Sequence, residues 1–487
     1  MRLTIIIILF LLLAGVQGAS AHFTIDEQKF IVDGNGTRIF PVGVYNMCHY
    51  TADYYAFNPS CIDSIELFGN ATYSEQTLIR QDLPTNWTFF DMTIAAANAA
   101  GMYMEQKGTS DYRPRNDNWS YFTYFQAHAE QKTAAAYDDL RVHYDFVKSF
   151  DTDHPVKYEG LYWNTDPYDP ATPENVSTFS DIFEDATYTY KTNCFPTNQF
   201  GLSFSNASNC AQLYWYVDDW LYARERFLRQ KVLDGSTTGS GLATLEDLPI
   251  PVWMLFSATT KPYNESTNYN TDIKPWNKYR TEAYWAVTVG ARGWGYWASK
   301  VITNTSDEFL AANITHADLF NNFIGELTSD KIQNIITMNT TNNSWKHYDY
   351  LAWDEKVNFS NNPVKTILGN KGLSLTYILY NDSVNDTDYL IAVNKNNVSI
   401  STTITIAGMS GIRNGTLLGL YGTGSAISGR QVVFNDGVLE ETFDPYAAHI
   451  YEISSESAPP SGNATTWTIR GSGGDAMWSD YWYEGKP

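Results

Sequence analysis

Positive charge is in short supply in this 487-residue sequence: 32 Lys and Arg stand against 54 Asp and Glu, a formal net charge of −22. Phosphates are repelled by such a balance, which excludes nucleic acid and anionic membranes as partners. The eight histidines include no pair at metal-ligand spacing, so no metal site is expected. No Gly-rich phosphate loop and no Gly-x-Ser-x-Gly elbow occurs, which argues against nucleotide and esterase chemistry and leaves no cofactor expected. Cysteine is scarce, with only Cys48, Cys61, Cys194 and Cys210.

Long apolar runs are missing too, except at the start. There MRLTIIIILFLLLAGVQGASA combines a basic Arg2, an apolar core too short for a membrane span, and small residues at Ala19-Ser20-Ala21. It reads as a secretory signal over residues 1–21, cleaved near His22. The expected location is extracellular, with no membrane span in the mature chain and no hydrophobic lipid-anchor tail. Recurrent Asn-x-Ser/Thr sequons, among them Asn35, Asn86, Asn206, Asn339 and Asn414, predict N-linked glycans. An even cysteine count suits the oxidising compartment. Of the three possible pairings, Cys48–Cys61 and Cys194–Cys210 are favoured, each closing a short loop. Aromatic residues reach 15%, and flat rings are what sugar-binding clefts use as platforms, although barrel walls also bury them.

After the signal, residues 22–40 alternate apolar and polar around Asp33-Gly34-Asn35-Gly36, the pattern of a β-hairpin capping a barrel. Eight strand candidates follow, most with a helical pattern behind them, as in parallel βα units. They are Ile39–Asn46, Ile62–Phe68, Gly101–Gln106, Tyr121–Ala129, Val156–Trp163, Asp181–Tyr188, Pro251–Ala258 and Ala291–Ser299. Helices are expected over Met92–Ala100, Ala134–Phe150, Leu213–Leu233, Lys278–Val289 and near Asp318–Ile335. Beyond residue 346 the pattern becomes short alternating strands between Asn, Asp and Gly turns, a β-sandwich reading. The fold class is α/β: a TIM (β/α)8 barrel over 22–345, a small all-β sandwich over 346–454, and a Pro/Ser/Gly/Thr-rich tail over 455–487.

The segment Tyr121 to Pro155 organises the chain. A strand ends on Glu130, an amphipathic helix follows, and an Asp151-Thr-Asp-His-Pro155 turn leads to the next strand. A carboxylate between a strand and its helix is where such barrels keep their chemistry, although the helix dipole also favours an acid there. The residues Ala129-Glu130-Gln131, Tyr137, Asp151, Asp153, His154 and Pro155 resemble the fourth strand and helix of secreted glycoside-hydrolase-like barrels. Phe40-Pro-Val-Gly-Val-Tyr45, Ser180 to Asp185, Pro251-Val-Trp253 and Arg280 through Gly293 resemble further stretches of the same proteins, in the same order. Ala129 and Gln131 stand where that pattern has Asp and Pro.

The resemblance implies a secreted glycoside hydrolase acting on oligo- or polysaccharide, with carbohydrate as its partner. Glycoside hydrolysis needs a protonated carboxyl for the leaving oxygen and a second carboxylate as nucleophile or base. Glu130 is the candidate acid; Asp185 and then Glu105 are candidates for the second role, and Glu66 and Glu159 also stand at strand ends. The seventh strand ends Phe256-Ser-Ala-Thr-Thr260, without a carboxylate. Expected around the mouth are Tyr45, Asn46, Glu66, His128, Trp163, Tyr188, Trp253, Trp294 and Trp297. A barrel without activity, serving as a glycan-binding or structural cell-surface glycoprotein, is the alternative.

Overall fold

The computed structural model describes residues 23–44, 73–76, 95, 97, 99–107, 121–125, 134–160, 177–187, 250–257, 276–297, 323–343, 375–394, 399–406, 409–419 and 429–454. The expected signal, the four cysteines, the helix at Leu213–Leu233 and the tail lie outside the described residues.

The first described segment forms three short antiparallel strands, β1 (Thr24–Ile25), β2 (Ile31–Val32) and β3 (Arg38–Ile39). The hairpin expectation holds for β2 and β3, and β1 adds a third strand. Asp33 shapes their turn: its Oδ1 accepts from the backbone N–H of Asn35 at 2.9 Å and of Thr37 at 2.8 Å. Gly36 takes φ +84°, a region costly for any residue with a Cβ. Phe23 and Ile31 are fully buried against Ile182, Trp253 and Leu255. Each such side chain contributes about 1.5–3 kcal/mol by leaving water. Ile182 and Trp253 lie at the beginnings of their strands, so the sheet plugs the N-terminal end of the barrel.

The barrel strands are β4 (Val42–Val44), β5 (Tyr73–Gln76), β6 (Tyr103–Lys107), β7 (Tyr121–Phe125), β8 (Val156–Gly160), β9 (Ile182–Thr187), β10 (Val252–Ser257) and β11 (Gly293–Trp297). They pair in chain order, all parallel, and close where β11 meets β4. The second strand is a correction: Tyr-Ser-Glu-Gln at 73–76 fills the place expected for Ile62–Phe68, which lies outside the described residues. A barrel strand needs its backbone ladder more than an apolar run, and a four-residue polar stretch can supply that.

Side chains alternate between two environments. Val252, Met254 and Phe256 join the helix-facing core, while Trp253 and Leu255 enter the bore. Helix α1 (Ala134–Lys148) buries Tyr137, Leu140 and Val147 and exposes Asp138, Asp139 and Asp145, an i, i+3, i+10 stripe. Helix α2 (Trp276–Thr288) is buried along most of its described length. The helix expected near Asp318–Ile335 is broken: residues 323–328 and α3 (Asp330–Ile336) are separate, with the Ser329 hydroxyl capping α3 by accepting from Ile332 N–H. Among the described residues, no helix is long and apolar enough to cross a membrane.

Where a sandwich was expected, the described strands form one continuous antiparallel sheet. They are β12 (Thr340–Asn343), β13 (Thr376–Asp382), β14 (Thr387–Val393), β15 (Ile400–Thr405), β16 (Ile412–Leu418), β17 (Gln431–Asn435), β18 (Val438–Phe443) and β19 (Ala448–Ser454). Their order is β12-β13-β14-β19-β16-β17-β18-β15, so the sheet takes its first strand from ahead of residue 346. One face, with Ile378, Ile391, Val393 and Ile450, merges with the barrel's outer core. The other encloses a second core of Leu390, Leu417, Phe434, Phe443 and Tyr451. Arg280 of α2 pins the junction: its Nε donates to Glu326 Oε1 at 3.0 Å and its guanidinium also bonds the Ala448 carbonyl.

Candidate functional site

In a parallel barrel, loops at the C-terminal ends of the strands surround the reaction space, and the side chains that reach it rise along the bore. Register identifies those side chains here. Trp253 and Leu255 face the bore, and Trp253 pairs with Glu184, so Ile182 and Glu184 face it too. Ile182 pairs with Lys157 and Glu184 with Glu159, which gives β8 the bore positions Lys157 and Glu159. On β6, Tyr103 stacks edge-on against Phe23 of the plug at 4.8 Å, so position 105 has bore register as well. Position 105 is level with position 75 of β5 and with Thr123 of β7.

Set on this register, the expected site residues separate. Position 105 lies midway along β6 on the bore side. Position 185 pairs with Met254, a helix-facing residue, so its register is that of the outer wall. The acid of β9 that belongs to the bore is Glu184. Trp253 is a correction: it is fully buried low in the bore, against the plug and far from the strand ends. Trp294 is another: it faces outward, fully buried, with ring centroids 4.4 Å from Tyr296 and 5.5 Å from Phe323. Position 297 keeps the bore register of Gly293 and ends β11. Glu130, Glu66, Tyr45, Asn46, His128, Trp163 and Tyr188 lie outside the described residues, as do Cys48, Cys61, Cys194 and Cys210.

The bore holds an ionic cluster. Lys157 and Glu184 are both fully buried, with Nζ donating to Oε2 at 2.8 Å. The ammonium also lies 5.3 Å from the Trp253 ring centroid, within cation–π range. Burial pushes Lys157 down to about 8, against the opposing attraction of Glu184 and Glu159. Burial likewise pushes the Glu184 carboxyl up, opposed by Lys157. Desolvation therefore outweighs attraction at both partners, as expected for a buried pair. Trp253 is held over β11 by a missing side chain: a Cβ on Gly293 would come within 2.7 Å of the indole. Sequence reasoning missed Lys157 and Glu184: Lys-Tyr-Glu at 157–159 alternates and marks Lys157 as sharing a face with Glu159, whereas Ile-Phe-Glu at 182–184 carries no alternation that would single out Glu184.

Several family-like motifs serve the scaffold at the opposite end. Asp151 Oδ1 accepts from the backbone N–H of Asp153 and His154 at 3.0 Å, and its Oδ2 lies 2.8 Å from His154 Nδ1. Asp181 gathers three groups: the Val156 N–H at 2.8 Å, the Tyr144 hydroxyl at 2.8 Å and the Lys148 ammonium at 2.8 Å. These bonds tie α1 to the first residues of β8 and β9. On α2, Glu282 accepts from the Tyr296 hydroxyl behind the barrel wall, which removes it from any reaction in the bore. Among the described residues no group of three or more His, Cys, Asp or Glu is arranged to hold a metal ion.

No model of a known protein family matches this sequence, and no curated protein matches it. Solved structures do. A protein described as a glycoside hydrolase superposes with a TM-score of 0.52 at 11% identity, over 90% of this chain and 98% of its own. A family 5 glycoside hydrolase from Bacteroides vulgatus ATCC 8482 gives 0.49 at 12% identity, over 89% and 93%. A family 30 subfamily 8 xylanase from Clostridium acetobutylicum gives 0.42 at 11% identity, over 90% and 98%. Of these three the first passes 0.5, and identities this low speak for fold alone. The chain has a glycoside-hydrolase-like fold.

Proposed function

We propose that this protein is a secreted glycoside hydrolase that cleaves O-glycosidic bonds of oligo- or polysaccharides at the C-terminal end of its barrel. The observation that supports this most is the acidic bore of a closed parallel barrel. Glutamates occupy bore register on β8 and β9, and the fold is glycoside-hydrolase-like. In this reading Glu130, at the exit of β7, protonates the leaving oxygen. Holding a proton near neutral pH requires a carboxyl raised above its ordinary range, and the aromatic run Tyr121–Phe125 just ahead of it in the chain suits that need. Tyr45, Asn46, His128, Trp163, Tyr188 and Trp297 are assigned to sugar contacts. Cleavage of the signal near His22, N-linked glycans and the local disulfides Cys48–Cys61 and Cys194–Cys210 complete the proposal.

The test is a glycan and aryl-glycoside panel assayed with the purified full chain for both binding and product release. Release of a reducing sugar from at least one member supports the enzyme. Binding without release across a broad panel assigns the protein to the glycan-binding alternative instead.

A further inference from the structure

Asp185 has outer-wall register, which leaves the second carboxylate of the proposed reaction open. The bore residues of β8 to β10 rank themselves by access. Lys157, Ile182, Glu184, Trp253 and Leu255 have no exposed surface, whereas Glu159 retains 9%. Glu159 is the penultimate residue of β8, two positions nearer the strand end than Lys157. Phe125, the last residue of β7, pairs with Lys157, so Glu159 stands one bore level beyond it toward the C-terminal end. Glu184, its cross-strand neighbour, is covered and its carboxylate is engaged by Lys157 at 2.8 Å. Glu159 also lies close enough to Lys157 for the two charges to attract.

We propose that Glu159 is the second catalytic carboxylate, acting on the sugar from the floor of the barrel mouth. This rests on the hydrolase reading above. Water is the co-reactant: the C1–O bond breaks, the leaving oxygen takes the proton of the acid, and the new hydroxyl at C1 comes from water. Glu159 supplies an electron pair, either bonding C1 until water releases the sugar or taking the proton of the attacking water.

The experiment compares the full chain with Glu159→Gln and Glu159→Ala on a substrate that the wild type turns over. Glu159→Gln keeps the shape and should lose about 10²–10⁴-fold in kcat, with glycan binding and melting temperature retained. The acid limb of its kcat/KM profile, which reports the ionised carboxylate, should disappear. Glu159→Ala should regain turnover when sodium formate or azide is added, which a purely structural glutamate would not allow. If Glu159→Gln does not fold, Glu159→Asp should lower kcat while leaving KM within about threefold, the pattern of a group acting in the transition state. Wild-type kcat in Glu159→Gln or in Glu159→Asp, or a loss that formate and azide do not restore, overturns the assignment while the hydrolase stands. A wild type that binds glycans and hydrolyses none overturns both.

Discussion

Replacing Lys157 by Met strands a carboxylate in the bore. The Lys157 and Glu184 side chains are fully buried and touch at 2.8 Å. Their attraction is ~6 kcal/mol at an effective dielectric of 20. Desolvating the two ions costs several kcal/mol each, so the intact pair is close to neutral for stability, whereas removing one partner costs about 3–5 kcal/mol. The loss should also depend on pH. Burial already raises Glu184 above its ordinary value, and without Lys157 opposing that, it rises further. A group whose folded pKa exceeds its unfolded value contributes stability that is present below the unfolded value and lost as pH climbs through the folded one. The deficit of Lys157→Met should therefore be small near pH 5 and grow toward pH 8, where the stranded carboxyl is driven to ionise. Urea unfolding of the intact chain, followed by tryptophan fluorescence and circular dichroism at both pH values, measures it. The double variant Lys157→Met/Glu184→Leu should recover most of the loss and flatten the pH dependence. A single variant that loses less than about 1 kcal/mol at pH 8, or equally at both pH values, would refute the buried pair.

Gly293→Ala drives a methyl into the Trp253 ring at 2.7–2.8 Å. It should cost about 1–3 kcal/mol by overpacking, and a smaller ring at 253 should relieve part of this in the double variant, read by melting temperature. His449 is fully buried and stacked on Phe443 at 4.1 Å. Burial first, then Arg430 and Arg280, hold its pKa well below the ordinary value. Because the unfolded imidazole binds a proton below about 6.5 and the folded one does not, His449 should subtract up to about 1.4 kcal/mol of stability per pH unit on acidification. His449→Gln should lose that part of the slope in unfolding between about pH 6.5 and 5, and an unchanged slope would assign the acid sensitivity elsewhere.

The parts of the chain with a strong period were legible. The α1 stripe, the plug turn at Asp33–Gly36 and the alternating strand β13 follow directly from side-chain spacing. The second barrel strand was not, because Tyr-Ser-Glu-Gln carries no apolar run and a strand this short is set by its neighbours' ladders. Faces were harder than elements. In Asp181–Asp185 both Ile182 and Phe183 are apolar, so nothing local tells which parity enters the bore. A one-residue slip exchanges Glu184 for Asp185. Trp253 and Trp294 are the same problem in adjacent strands, one turned to the plug and the other to Phe323. In the β17–β18 hairpin Asp436 and Gly437 take φ values of +49° and +76°, which suit a two-residue type I′ turn. The family-like motifs at Asp151, His154, Asp181 and Arg280 proved informative about the scaffold: the first two fix the turn between α1 and β8, while the bonds of Asp181 and Arg280 join helices to strand beginnings or to the C-terminal sheet.

The claim that this barrel hydrolyses glycosides through Glu130 is tested most directly by the leaving-group dependence of Glu130→Gln. Wild type and variant are assayed side by side on a natural glycan and on an activated aryl glycoside of the same sugar. Loss of the donated proton predicts about a 10²–10⁴-fold fall in turnover of the natural glycan. The activated substrate, whose leaving group needs little protonation, should fall far less, and binding of both should persist. Natural-glycan turnover at the wild-type rate in Glu130→Gln would contradict the account.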